Sequence, residues 1–315
     1  MSEQWRGVAG SKWFLFAVVA VVVCLSVVVR GYGIEDPWAQ GNIGSSGSYS
    51  GEIARNFVRF GYLDTRMGAV QDVGPLRPET FTYDEHPPMI YWLTSLSFRA
   101  FGISEWSATL VPIACSAVSI ALLFMLALRL WGLTVALLAA AFMVLVPMDA
   151  YYGRMVSHAA PTLMFALLVF YLYVLWKERR TAGYLLGVFG ALLLAMLSGF
   201  PAYFVAPWLA GYHVLTERRK KGRWTIAILL LISGPLFFTT WALYLRWITG
   251  SFAILSRGFA TRFPGDMGPW VFTLPELYRI EFERIRALHT STLMLLSAVW
   301  AIFVAWDVWH KRDLE

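Results

Sequence analysis

A series of apolar runs, with basic residues at alternate ends, restricts what this chain can fold into more than any other feature. The first, over residues 13–29, is nearly unbroken and follows Arg6 and Lys12. No small-residue cleavage pattern ends it, so it reads as an anchor helix and not as a removable signal. Further runs at 107–128, 133–146, 161–176, 182–197, 202–215, 225–245 and 290–306 raise the expectation to about eight transmembrane helices. Hydrophobic residues make up 58% of the chain and charged residues 15%, which leaves too little polar surface to coat a soluble globule of 315 residues. The expected fold class is all-α integral membrane, a single polytopic domain over 1–315.

The basic clusters set an orientation. Arg6 and Lys12, then Arg129, then Lys177, Arg179 and Arg180, then Arg218 to Arg223, then Lys311 and Arg312 all fall on one side of an eight-span chain. The positive-inside rule makes that side the cytoplasm and places both termini there. Long loops at 31–106 and 246–289 then face outward. The net charge of +6 is a topology signal, and no nucleic-acid partner is expected. Cys24 and Cys115 both lie in apolar runs, where cysteine acts as a small hydrophobe. No inverted repeat appears, no span is broken midway by paired Gly and Pro, and intramembrane ionisable residues are few. These features count against a secondary carrier.

Polar chemistry collects in the first outer loop. The Gly/Ser-rich stretch from Gly41 to Ser50 lacks apolar periodicity and is expected to be irregular. An amphipathic helix should follow from Glu52 to Phe60, with Ile53, Phe57 and Phe60 on one face and Arg55 and Arg59 on another, lying along the membrane surface. Residues 64–83 read as irregular. Asp84-Glu85-His86-Pro87-Pro88 then opens a second juxtamembrane helix, Met89 to Phe101, whose Tyr91, Trp92 and Phe98 suit the headgroup layer. In the second loop, Leu277, Ile280 and Ile285 predict a surface helix after Pro275.

These segments, together with Phe101-Gly102-Ile103-Ser104-Glu105-Trp106 and the turn Pro147 to Arg154, occur in an order and spacing that resembles the membrane-embedded GT-C glycosyltransferases. That family uses polyprenyl-phosphate-linked sugars and includes aminoarabinose transferases and protein mannosyltransferases. The resemblance runs from Trp13 to about Trp176. It implies transfer of a sugar from a polyprenyl-phosphate donor to a cell-envelope lipid, glycan or protein at the outer face of a bacterial-type inner or plasma membrane. It also implies an outer-loop carboxylate as base.

Transfer from a glycosyl phosphate requires a base for the acceptor and cationic groups or a metal for the departing phosphate. The resemblance places the base near Glu35 and Asp36, just past the first span. Where relatives carry an Asp-Glu pair before the Ala-Arg helix, this chain has Ser45, Ser46 and Ser48, which leaves Asp36, Glu35 and Glu52 as alternative bases. Where relatives often carry an acid at the start of the fourth span, His158 is the ionisable residue. Asp84, Glu85 and His86 match the segment that holds the sugar phosphate, or they cap the helix that follows. His86 beside two carboxylates suits a divalent cation, manganese or magnesium. Arg55 and Arg154 are the phosphate candidates, because a guanidinium fork fits phosphate oxygens, with snorkelling to lipid headgroups as the alternative. His213 reads as a packed structural residue. The chain ends at Glu315 after its eighth run, so acceptor recognition is expected to involve a partner membrane protein. A non-catalytic relative that binds polyprenyl lipid is the second reading, and a transporter the third.

Overall fold

The computed structural model describes residues 12–38, 41–76, 82–83, 86–217 and 222–252, with single positions between 275 and 299. The architecture is helical. Among the described residues, four helices are long and apolar enough to cross a membrane: α1 (Lys12–Gly31), α4 (Glu105–Leu130), α7 (Ala159–Arg179) and α10 (Arg223–Thr249). Two shorter apolar helices, α5 (Leu133–Leu145) and α8 (Ala182–Ser198), pack among them. The run at 202–215 forms a 3-10 turn, Phe200–Phe204, that leads into α9 (Val205–Thr216). The run at 290–306 lies almost wholly outside the described residues. The described positions between 275 and 286 are helical, consistent with the expected helix after Pro275.

α4 is the spine, in contact with α1, α5 and α7, while α8 packs on α7 and α9 on α10. Ser104 caps α4: its hydroxyl accepts from the Ser107 backbone N–H while Ser107 reaches back to the Ser104 N–H. One end of the bundle is tied by charge. Arg129 pairs with Glu178 at 2.7 Å, and the buried Glu217 takes Arg180 at 2.8 Å and Lys177 at 3.5 Å. These contacts join the ends of α4, α7 and α9, and bring Arg129, Lys177 and Arg180 to that end. His213 is buried beside them with Tyr173 Oη 2.8 Å from its Nδ1, the structural role expected of it.

The opposite end carries α2 (Asn42–Phe60), α3 (Met89–Phe101) and the short α6 (Pro147–Tyr152). α3 has the bounds read from the sequence, with Pro87 and Pro88 just before its first turn. Gly102, at φ +86°, turns the chain from α3 into α4.

The structure differs from the sequence expectation in three places. α2 begins at Asn42, so the Gly/Ser stretch expected to be irregular is helical. Its small residues repeat at helical spacing and have tertiary partners: Gly47 and Gly51 lie against the Trp38 indole, and Ser46 and Ser50 each donate to the Val156 carbonyl at 2.9 Å. Second, the face of Ile53 and Phe57 is fully buried against Ile90, Tyr91, Phe98 and Ala108, so protein rather than lipid covers it. Each such Phe or Ile contributes about 1.5–3 kcal/mol on burial. Third, the 64–83 stretch contains a short antiparallel pair, β1 (Ala69–Val70) with β2 (Thr82–Tyr83).

Candidate functional site

Three groups of polar side chains sit at the α2–α3 end of the bundle. The first is an open cavity of about 370 Å³ on the flank of α2, bounded by the start of α4. Ser48, Glu52 and Arg55 line it from successive turns of α2, and Glu105 and Ser104 line it from α4. Trp38, Phe98 and Val73 complete the wall. Asn56 donates to the carbonyls of Val70 and Asp72 at 2.9 and 2.8 Å, and Arg59 to that of Val73 at 3.0 Å, which fixes the chain that carries Val73. Nε and Nη2 of Arg55 are covered by protein and have no hydrogen-bond partner among the described residues. An ionised group with buried donors unmatched is a costly arrangement, relieved by an acceptor. The cavity thus sets a carboxylate able to take a proton one turn from a guanidinium able to hold an oxyanion.

The second group is the turn that follows α1. Glu35 and Asp36 are exposed there and are not among the residues lining the cavity. Arg154 braces this turn, donating from Nη1 to the Tyr32 carbonyl at 3.0 Å and from Nη2 to the Gly33 carbonyl at 3.2 Å. Two of its three guanidinium nitrogens are therefore engaged with backbone. Beneath the turn, Arg30 is 1% exposed and donates to Ser26 Oγ at 3.1 Å and to the Met143 carbonyl at 2.9 Å. Gly153 packs so closely here that a methyl group would overlap Arg30, Ser116 Oγ and the Asp149 carbonyl.

The third group pairs two residues singled out separately in the sequence. The imidazoles of His86 and His158 stack with centroids 4.4 Å apart, and Phe200 lies 6.0 Å from His86. Burial lowers the pKa of His158, which favours the neutral ring. Asp84 and Glu85 lie outside the described residues. Among the described residues, no three His, Cys, Asp or Glu side chains form a group that could hold a metal ion.

The structure therefore brings Glu52 to Arg55 and His86 to His158, and sets Arg154 behind the Glu35–Asp36 turn. Sequence reasoning missed Glu105 and Trp38 as parts of a site. Glu105 stood in a recognised segment, but an acid in the first turn of a helix is accounted for by the helix end alone. Trp38 in an irregular loop carried no periodic signal. Arg30 was missed because it closes an apolar run.

The family model for dolichyl-phosphate-mannose-protein mannosyltransferase matches residues 85–244, just over half of the chain. A protein of Aquifex aeolicus (strain VF5), described as uncharacterized, is 33% identical over 137 residues, which are 44% of this chain and 31% of that protein. Among solved structures, ArnT from Cupriavidus metallidurans in the apo state aligns at TM-score 0.49 and 19% identity, over 83% of this chain and 45% of that one. The undecaprenyl-phosphate-bound form of that ArnT aligns at 0.49 and 20%, over 81% and 43%. The Archaeoglobus fulgidus oligosaccharyltransferase, in complex with Zn and sulfate, aligns at 0.48 and 15%, over 92% and 40%. The chain spans less than half the length of each of these proteins. On the family match, this chain is a multi-pass membrane protein and a member of the dolichyl-phosphate-mannose-protein mannosyltransferase family of glycosyltransferases.

Proposed function

We propose that this protein moves a sugar from a polyprenyl-phosphate donor to a cell-envelope lipid, glycan or protein, at the outer face of an inner or plasma membrane. The observation that carries this reading is the cavity in which Glu52 and Arg55 stand one helical turn apart. Glu52 is the base that takes the proton of the acceptor nucleophile. Arg55 neutralises the lipid phosphate as it leaves. Glu35 and Asp36, on the turn braced by Arg154, are the alternative carboxylates, and His86 and His158 line the approach of the phosphate from the α3 and α7 side. Asp84 and Glu85 join His86 in holding the donor, with manganese or magnesium where a cation takes part. Eight spans place the basic end of the bundle and both termini in the cytoplasm, and acceptor recognition draws on a partner membrane protein. The test is to incubate the purified protein with a panel of polyprenyl-phosphate sugars and to follow release of free lipid phosphate. Release with at least one donor and acceptor supports the reading.

One observation favours a second reading, a relative that binds polyprenyl lipid without turning it over. The resemblance puts Ser45, Ser46 and Ser48 where many relatives carry an Asp-Glu pair, and Ser46 is engaged in holding α2 to the Val156 carbonyl. Donor binding without release across the panel selects this reading.

A further inference from the structure

One wall of the cavity that holds Glu52 and Arg55 is built around a tryptophan. Trp38 precedes α2 and belongs to no helix or strand itself, yet it is held from three directions. Its backbone N–H donates to Glu105 Oε2 at 2.6 Å, and its indole N–H to Thr109 Oγ1 at 3.3 Å. Its ring lies on the backbone of α2, where a Cβ at Gly47 would come within 2.9 Å of three indole atoms and one at Gly51 within 3.5 Å. The glycines leave room for the ring, so the indole is fixed before any ligand arrives. Next to it, Glu105 and Ser104 from α4 and Ser48 from α2 offer hydroxyl and carboxylate oxygens.

The charge balance points to the ligand. Among the described residues that line the cavity, Glu52 and Glu105 outnumber Arg55, a balance that disfavours a free polyanion. Carboxylates accept hydrogen bonds from neutral hydroxyls, and a rigid indole offers a flat apolar surface. A volume of about 370 Å³ is at the small end of ligand pockets, with room for one ring and none for a polyprenyl chain. We propose that Trp38 and Glu105 form a subsite for a neutral saccharide ring, which packs on the indole while its hydroxyls donate to Glu105. Arg55, which lines the same cavity, meets the phosphate and not the ring. The subsite rests on the transfer reading for its purpose, but saccharide binding can be measured without transfer. The ring belongs either to the donor sugar or to a glycan acceptor.

The experiment is ligand-observed NMR on the full chain in detergent, with neutral methyl glycosides as ligands, beside a separate measurement of bare polyprenyl-phosphate binding. Glu105→Gln keeps an acceptor for the Trp38 N–H but removes the charge, and should weaken glycoside binding about tenfold. Trp38→Ala should abolish it, and Trp38→Phe, which keeps a flat ring, should retain part of it. None of the three should change bare polyprenyl-phosphate binding more than about twofold, whereas Arg55→Ala should do the converse. Competition by a sugar-loaded donor, but not by bare lipid phosphate, assigns the ring to the donor; persistence of glycoside binding beside a loaded donor assigns it to the acceptor. The proposal is overturned if the parent binds no glycoside, if Glu105→Gln and both Trp38 variants bind as well as the parent, or if lipid-phosphate binding falls in step with glycoside binding. Failure of transfer with glycoside binding intact would count against the glycosyltransferase reading and leave the subsite standing.

Discussion

His86 and His158 lie face to face, with ring centroids 4.4 Å apart and planes 21° from parallel, although one precedes α3 and the other opens α7. Burial lowers the pKa of His158 from its ordinary 6.5, so the folded chain holds a neutral imidazole where the unfolded chain takes up a proton. The stability this contributes is fully present above 6.5. It is lost as pH falls from 6.5 towards the lowered folded value. Thermal unfolding in detergent should therefore move to lower temperature as pH is reduced through this window. His158→Gln should flatten that dependence.

Gly47 and Gly51 offer a paired test of how α2 is seated. A methyl at Gly47 would press on three atoms of the Trp38 indole at 2.9 Å, while one at Gly51 would make ordinary contact at 3.5 Å. Gly47→Ala should destabilise the protein by about 1–3 kcal/mol through overpacking, and Gly51→Ala should be near neutral. Chemical denaturation of the two variants in the same detergent checks the difference.

This packing also explains what could be read in advance. α3 was legible because two prolines and then an aromatic-rich periodic run mark its start and face. α4, α7 and α10 were legible because a bilayer demands long apolar runs. The first half of α2 was not, because Gly47, Ser46, Ser50 and Gly51 carry their periodicity in size and not in hydrophobicity. That pattern becomes informative only once Trp38 and the Val156 carbonyl are known to lie against it. Glu52 and Arg55 were recognised as chemistry-bearing residues. Their shared cavity depends on Glu105 and Trp38, which are distant in sequence and joined by a single 2.6 Å hydrogen bond.

At the other end of the bundle, Glu217 is 4% exposed and receives both Arg180 and Lys177. Glu217→Gln would leave two cations facing a neutral amide, and since Arg180 and Lys177 are partly exposed the loss should be about 2 kcal/mol, below that of a fully buried pair. Removing Arg180 alone should cost less, because Lys177 remains at 3.5 Å. Neither change should alter donor affinity, which separates this structural cluster from the cavity.

Arg55 and Arg154 were paired as phosphate ligands in the sequence, and the structure gives them different surroundings. Arg55→Ala should weaken polyprenyl-phosphate binding about tenfold, with Arg55→Lys recovering only part, since lysine lacks the planar fork. Arg154→Ala should instead loosen the Tyr32–Asp36 turn, raising its amide hydrogen exchange while leaving lipid-phosphate affinity closer to the parent's. Equal losses of affinity in the two variants would return Arg154 to the phosphate.

The most direct measurement compares donor turnover and donor affinity in the parent, Glu52→Gln and Asp36→Asn, using a polyprenyl-phosphate sugar in nanodiscs. If Glu52 is the base, Glu52→Gln should lower turnover about 10²–10⁴-fold with donor binding retained, and Asp36→Asn should stay close to the parent. Full turnover by Glu52→Gln would contradict the assignment of the base, and a parent that binds donor yet never releases lipid phosphate would contradict the transfer reaction itself.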